Sequence, residues 1–166
     1  MKSSVLDATA QVTKLDTGIQ KAENAASNLE NCLADSFMLM VKSQVYHWNV
    51  VGPLFQPLHV LTQEHYENLF EAIDDIAERI RALGYPAPSS IVDMAQKSVI
   101  DEDTGSTSAE EMVRTLIKDH EAVASRFRDA AKLADHTGDL VTADLLTERI
   151  AFHEKAVWML KAIITN

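Results

Sequence analysis

The sequence is short of cysteine, of long apolar runs and of basic residues. Cys32 is the single cysteine among 166 residues, so an intrachain disulfide and a zinc site made of cysteines are excluded. We expect Cys32 to be a small buried hydrophobic residue on the first long helix. No apolar stretch reaches the roughly 20 residues that span a bilayer, and the start, MKSSVLDATAQ, lacks the apolar core of a signal peptide. These absences predict a cytoplasmic protein.

Basic residues number 15 against 25 acidic residues, which gives a formal net charge of -10. This balance argues against a general polyanion-binding surface and favours cations as partners. We expect residues 1–16 to form a short N-terminal arm. Its charges balance, because it has two lysines, Lys2 and Lys14, and two aspartates, Asp7 and Asp16. Phosphate neutralisation needs several cations together. DNA binding through this arm is therefore doubtful.

The pattern Glu-x-x-His is absent from the sequence. Helix-bundle di-iron proteins that hold their metals inside one bundle carry this pattern on two helices. Its absence disfavours a metal centre in the bundle core and favours a site at a subunit boundary.

Apolar residues recur at intervals of three and four and predict four long helices. The first covers about 17–49, the second follows Pro53 and ends at Gly84, the third runs from a capping box at Ser108 and Glu111 to Gly138, and the fourth covers roughly 141–164. Core candidates on the first helix are Leu29, Leu33, Phe37, Met40, Val41 and Tyr46.

The link over 84–107 is rich in Pro, Ser, Gly and Asp and has one apolar patch at Ile91, Val92 and Met94. We predict a long crossover with a small helix inside it. Short connections join antiparallel neighbours, so the two helix pairs form hairpins. The prediction is an all-α, ferritin-like four-helix bundle over residues 17–166, with one long crossover.

The stretch from Tyr46 to Leu83 has a histidine on each side of a Gly52-Pro53 break. His47 lies six residues before the break and His59 six residues after it, so both imidazoles are expected at the open end of one helical hairpin. Along the second helix, a polar strip that borders the apolar stripe continues from His59. Its other members are Gln63, Asp74 and Glu78.

His59 and Asp74 are too far apart for one metal ion, because fifteen helical residues span roughly 22 Å. A second copy of the helix, antiparallel about a two-fold axis near residues 66 and 67, would bring one copy's His59 opposite the other copy's Asp74 and make two equivalent sites. Histidine nitrogen with carboxylate oxygen suits iron or zinc. Taken singly, each of these residues has an ordinary structural explanation, but their combined spacing predicts half of an intersubunit metal site.

The run HWNVVGPLF, then His59, then DDIAERIRALG resembles the Dps family (DNA-binding protein from starved cells), also called miniferritins. The resemblance implies an intersubunit ferroxidase centre with His47 and His59 from one subunit and Asp74 and Glu78 from the next. It also implies iron as the metal, hydrogen peroxide as the preferred oxidant, a hollow dodecamer that stores ferric mineral, and protection against oxidative damage. Zinc is a surrogate metal, and a nucleoid-associated location would accompany DNA binding.

One position departs from the family pattern, because the family commonly has an aspartate where this chain has Gln63. The amide oxygen can bind a cation but carries no charge, so we expect a weaker second iron position. Trp48 is similar to the family's site-adjacent tryptophan, which makes it a shield or radical sink and not a ligand.

The turn DHTGDLVTAD carries Asp135, Asp139 and Asp144. Helix capping explains Asp139, whereas the family resemblance implies that this turn lines acidic pores at a three-fold axis. For His65, near the proposed dyad, we expect surface or interface hydrogen bonding. Structural roles are expected for His120, His136 and His153.

Two other functions stay open on the sequence. One is a DNA-compacting architectural Dps, which the acidic balance disfavours. The other is a ferritin-like shell with weak or no ferroxidase activity, which Gln63 favours.

Overall fold

The computed structural model describes residues 8–103 and 107–165, and this part of the chain contains helices and no strands. None of the described helices is both long and apolar enough to cross a membrane. The predicted all-α bundle with one long crossover is confirmed. Its helices are α1 (Ala22–Asn49), α2 (Phe55–Ala82), α3 (Ile91–Lys97), α4 (Ala109–His136) and α5 (Leu140–Ile163).

The four long helices form two antiparallel hairpins, α1 with α2 and α4 with α5, and α3 packs on α1 within the crossover. Apolar stripes from all four meet in one core. Leu29, Leu58, Leu116, Phe127 and Leu160 are fully buried there. Burial of each such side chain stabilises the fold by about 1.5–3 kcal/mol relative to leaving it exposed. The core therefore fixes the position of α2, which carries the polar strip.

The first helix begins five residues later than the sequence indicates. Gly18 and Lys21 have φ of 72 and 57, a left-handed backbone that an α-helix cannot contain. Most of the side-chain predictions on this helix hold: Leu29, Leu33 and Tyr46 are buried in the core, and Phe37 and Met40 pack against it. Cys32 is fully buried, as predicted, but Val41 is 38% exposed and is not a core residue.

The segment before α1 lies against the end of α2. The Thr13 N–H donates to the Gly84 carbonyl oxygen at 2.8 Å. Gly84 has φ +92, and a Cβ at this position would stand 2.1 Å from the Thr13 carbonyl oxygen. Glycine is required at this crossing. Residues 1–7 of the predicted arm lie outside the described residues.

The capping predictions hold at two helix starts. Ser108 Oγ accepts from the Glu111 N–H at 3.2 Å, and Asp139 Oδ1 accepts from the Thr142 N–H at 3.0 Å. The Asp139 carboxylate is buried and also pairs with Arg79 of α2 at 2.6 Å. It therefore ties α5 to α2, and the pore role of Asp139 stays a prediction.

Candidate metal centre

His47 and His59 come together where α1 turns into α2. His47 lies in the last turn of α1 and His59 in the first turns of α2, and Gly52 between them takes a left-handed φ of 86. The two imidazole rings stack with centroids 3.8 Å apart and planes 16° from parallel. The two rings meet as predicted, but they do so at the connected end of the hairpin and not at its open end.

Reciprocal hydrogen bonds fix both rings. His47 Nδ1 lies 2.7 Å from the His59 carbonyl oxygen, and His59 Nδ1 lies 2.9 Å from the His47 carbonyl oxygen. Because a carbonyl oxygen only accepts, each Nδ1 carries the proton and donates it. In the neutral ring, Nε2 then holds a lone pair, which is the form of histidine that binds metals.

Two further aromatic side chains contact the imidazole rings. Phe55 stacks on His59 at 5.0 Å, and Tyr66 meets His47 edge-on at 5.4 Å. Both histidines are half-buried, so their nitrogens are partly shielded but reachable. Trp48 beside them is 67% exposed, although it is a large aromatic residue.

Asp74 and Glu78 lie on the exposed face of α2. Since α2 is unbroken from Phe55 to Ala82, the separation of roughly 22 Å between His59 and Asp74 applies. An open depression of about 620 Å³ lies beside Asp74 and is lined in part by Phe70. Phe70 is 69% exposed, which is unusual for a phenylalanine, and it lies one turn before Asp74 and two turns before Glu78.

Within residues 8–103 and 107–165, no three His, Cys, Asp or Glu side chains stand close enough together to hold a metal ion. The imidazole pair and the acidic pair are thus separate in one chain. Gln63, between them on α2, is exposed and donates its amide N–H to Glu67 Oε1 at 2.8 Å. This bond uses the Gln63 nitrogen and leaves its amide oxygen for other partners.

Comparison with known proteins agrees with this arrangement of helices. A family model described as a ferritin-like domain matches residues 26–166. A DNA protection during starvation protein of Brevibacillus brevis is 35% identical over 150 residues, which cover 90% of this chain and 99% of the relative. The chain belongs to the Dps family. A low temperature-induced protein of Nostoc sp. is 42% identical over 147 residues, covering 87% of this chain and 82% of the relative.

Solved Dps structures superpose on the whole bundle. Dps from Staphylococcus aureus has a TM-score of 0.85 at 27% identity, covering 89% of this chain and 99% of that one. The Dps protein from Vibrio cholerae has a TM-score of 0.84 at 31% identity, covering 95% of this chain and all of that one, 100%.

This Dps chain has a second histidine group that its sequence did not predict. His65, for which we expected surface or interface hydrogen bonding, is 3% exposed within the chain, and His120 and His153 are fully buried. They meet between α2, α4 and α5: His120 Nδ1 lies 2.8 Å from His153 Nδ1, and the His65 ring stands edge-on to His120 at 4.9 Å. The available signal was periodicity, since His65 is four residues from both Leu61 and Leu69 on the apolar stripe.

Burial keeps these three rings uncharged. It lowers the pKa of His65 to about 4 and, with the nearby Arg149 guanidinium and the His65 ring, lowers that of His153 to about 3. The pKa of His120 is also lowered well below its usual value, by burial first and then by the neighbouring rings and Arg149. Each buried polar atom that is left without a hydrogen bond lowers the stability of the fold by about 1–3 kcal/mol.

Proposed function

We propose that this Dps protein is a ferroxidase and iron store: it oxidises Fe(II) between two-fold-related subunits and keeps the ferric mineral inside a hollow dodecamer. The observation that carries the proposal is the stacked pair His47 and His59, whose Nδ1 atoms are both committed to main-chain carbonyls. Main-chain tethers of this kind raise the basicity of a ligand histidine and fix the tautomer whose Nε2 binds metal.

The neighbouring subunit supplies the acidic half in this proposal. An antiparallel copy of α2 about residues 66 and 67 sets Asp74 opposite His59, and the same operation sets Gln63 opposite Phe70. The exposed Phe70 would then be covered by the partner helix, as expected of an apolar residue in a dimer interface. The Vibrio cholerae Dps, which this chain resembles, is described as a member of a superfamily of ferritin-like diiron-carboxylate proteins.

The ligand chemistry suits iron oxidation. Iron is the substrate: neutral imidazole nitrogen holds Fe(II), and the carboxylates of Asp74 and Glu78 stabilise Fe(III) more than Fe(II). Each of two ferrous ions gives one electron to hydrogen peroxide, which takes up two protons and leaves as two waters. In this proposal Trp48, which is exposed next to His47, intercepts a radical formed by incomplete reduction.

The α4–α5 turn is the proposed entry for iron. Asp135 and Asp144 are exposed there, and Leu140 beside them is 68% exposed. An exposed leucine next to acidic residues fits a contact between subunits around an axis, where repeated carboxylates would concentrate cations.

Stopped-flow absorbance after mixing the apo protein with Fe(II) and hydrogen peroxide tests the proposal. His47→Ala with His59→Ala should slow oxidation by more than about tenfold, because removing even an outer-shell partner costs metal sites 10–100-fold. Gln96→Ala, an exposed change on α3, is the control and should match the wild type. Equal rates in all three proteins would remove the site from the mechanism.

A weakly active shell is the second candidate, favoured by the uncharged Gln63. Ferric yield per subunit decides between the two: a stoichiometric, peroxide-dependent yield supports the ferroxidase, and no yield above buffer supports the shell. Zinc added before iron should compete for the same histidines in the ferroxidase and have no effect on the shell.

DNA compaction is the remaining alternative, since some relatives are named for DNA protection during starvation. The net charge of -10 opposes it. A gel shift at low salt and neutral pH without divalent cations should show no retardation, and tight binding under these conditions would favour the architectural role.

A further inference from the structure

Tyr66 brings a phenol to the imidazole pair of the proposed ferroxidase centre. It lies about two helical turns after His59, so both side chains leave α2 on the same side. Its ring meets the His47 ring edge-on, with centroids 5.4 Å apart and planes 79° from parallel. This T-shaped arrangement is a preferred geometry for two aromatic rings. An oxidisable side chain is therefore in direct contact with a ring that we propose binds iron.

The other oxidisable aromatic side chains near the pair do not share this contact. Trp48 follows His47 in sequence but is 67% exposed, and within the described residues it makes no ring contact with either histidine. Tyr46 precedes His47, but its side chain is buried and its hydroxyl donates to Asp103 in the crossover. Tyr66 is thus the phenol that the fold places against the site.

Gln63 leaves the proposed centre short of one electron. Reduction of hydrogen peroxide to the level of water takes two electrons, and one ferrous ion gives one. The exposed, uncharged amide at position 63 weakens the second iron position, since a carboxylate there would hold a hard cation better. One ferrous ion then meets the peroxide alone. A second electron must come from the protein, because otherwise a hydroxyl radical is released.

We propose that Tyr66 supplies this second electron and holds the oxidising equivalent until another ferrous ion arrives. The inference rests on the proposed ferroxidase function. In the first step the ferrous ion gives one electron, Tyr66 gives one electron and its hydroxyl proton, and the O–O bond breaks, so that peroxide leaves as one hydroxide ion and one water. In the second step the next ferrous ion gives one electron to the tyrosyl radical, and a proton from solvent restores the phenol.

The surroundings of Tyr66 suit a radical that must last between two ferrous ions. Its side chain is half-buried, whereas Trp48 is mostly exposed. Residues 66 and 67 lie at the two-fold axis of the proposed dimer, so the partner subunit covers Tyr66 further. Dissolved reductants and solutes are thereby kept from the phenol, while the ring contact with His47 links it to the iron.

Freeze-quench electron paramagnetic resonance tests the inference on the assembled protein, mixed with one Fe(II) per chain and then with hydrogen peroxide. We expect a tyrosyl radical in the wild type, identified by the change in its hyperfine splitting when the protein is made with ring-deuterated tyrosine. Tyr66→Phe, which removes only a hydroxyl, should lower this signal by at least about fivefold. Tyr85→Phe changes another half-buried tyrosine, beyond the far end of α2, and should keep the signal. Trp48→Phe should keep it as well.

Two further readouts separate electron donation from a packing role. A second Fe(II) per chain, added to the wild type after the radical has formed, should abolish the signal, and this needs no variant. With a spin trap in solution, Tyr66→Phe should give at least about threefold more hydroxyl adduct per iron oxidised than the wild type, whereas Tyr85→Phe should match the wild type.

The inference and the ferroxidase function can fail separately. A wild-type protein that oxidises no iron would overturn both. Iron oxidation that needs His47 and His59 but gives no tyrosyl radical would overturn the role of Tyr66 alone. So would an equal radical in Tyr66→Phe, a radical that survives the second Fe(II), loss of the radical in Trp48→Phe or Tyr85→Phe, or equal hydroxyl adduct in Tyr66→Phe and the wild type.

Discussion

At the scale of single residues, the two histidine pairs differ in what their Nδ1 atoms contact. His47 and His59 bond to main-chain carbonyls, which sets both tautomers and turns both lone pairs toward the outside. His120 and His153 bond to each other, so one proton serves two rings. The same residue type therefore gives two separately tethered rings at the hairpin end, where we propose a half-site, and a closed pair in the core.

The amide at position 63 is open to a direct test. Gln63→Asp should raise the number of Fe(II) ions bound per site from one toward two in anaerobic calorimetry, because a carboxylate adds charge at the second iron position. The new charge faces Glu67, to which Gln63 now donates, and like charges four residues apart cost a few tenths of a kcal/mol.

The control for this substitution is Gln96→Asp, an equally exposed change on α3. It should leave the iron stoichiometry unchanged. No gain with Gln63→Asp, or the same gain with the control, would contradict the assignment of position 63 to the site.

At the scale of elements, the sequence predicted four long helices, the crossover helix and the hairpin that joins His47 to His59, because these depend on local apolar spacing and on caps such as Ser108. It did not predict the late start of α1, which depends on left-handed backbone at Gly18 and Lys21. The meeting of His65 with His120 also escaped prediction, since helix packing and not spacing brings α2 to α4.

Gly84 and Gly52 provide a matched pair for testing the end of α2. Both have positive φ, but a Cβ at Gly84 would meet the Thr13 carbonyl oxygen at 2.1 Å, whereas a Cβ at Gly52 would meet nothing within 4 Å. Gly52→Ala should cost about 1 kcal/mol of backbone strain. Gly84→Ala should cost more, by roughly 1–3 kcal/mol, because the N-terminal segment must move as well.

Urea unfolding followed by circular dichroism measures how much each alanine variant lowers the free energy of unfolding. The two variants are compared in the same assembly state, dissociated or assembled. Equal losses for the two alanine variants would mean that the contact between Thr13 and Gly84 contributes nothing to stability.

At the scale of the whole molecule, the proposed metal centre makes one chain an incomplete unit. His59 and the acidic pair lie on one continuous helix, α2, at a separation no ion can bridge, and Phe70 is exposed between them. In the proposed dimer, a partner copy completes the site and covers Phe70 in the same step. Assembly and activity are thus expected to fail together.

Phe70→Arg should therefore weaken the dimer and slow iron oxidation by more than about tenfold, since a charge in the middle of an apolar contact costs several kcal/mol. Light scattering after size-exclusion chromatography gives the assembly state, and circular dichroism checks the fold. Val12→Arg changes a residue of similar exposure outside the bundle and should alter neither property. A Phe70→Arg protein that assembles fully would place the interface elsewhere.

Mixing two inactive subunits tests the shared site most directly. One carries His47→Ala and His59→Ala, the other Asp74→Asn and Glu78→Gln, and each homo-oligomer should be inactive. If every site takes its histidines from one subunit and its carboxylates from the next, random co-assembly at equal amounts restores about a quarter of the wild-type ferroxidase sites. A mixture as inactive as its two parents would contradict an intersubunit centre.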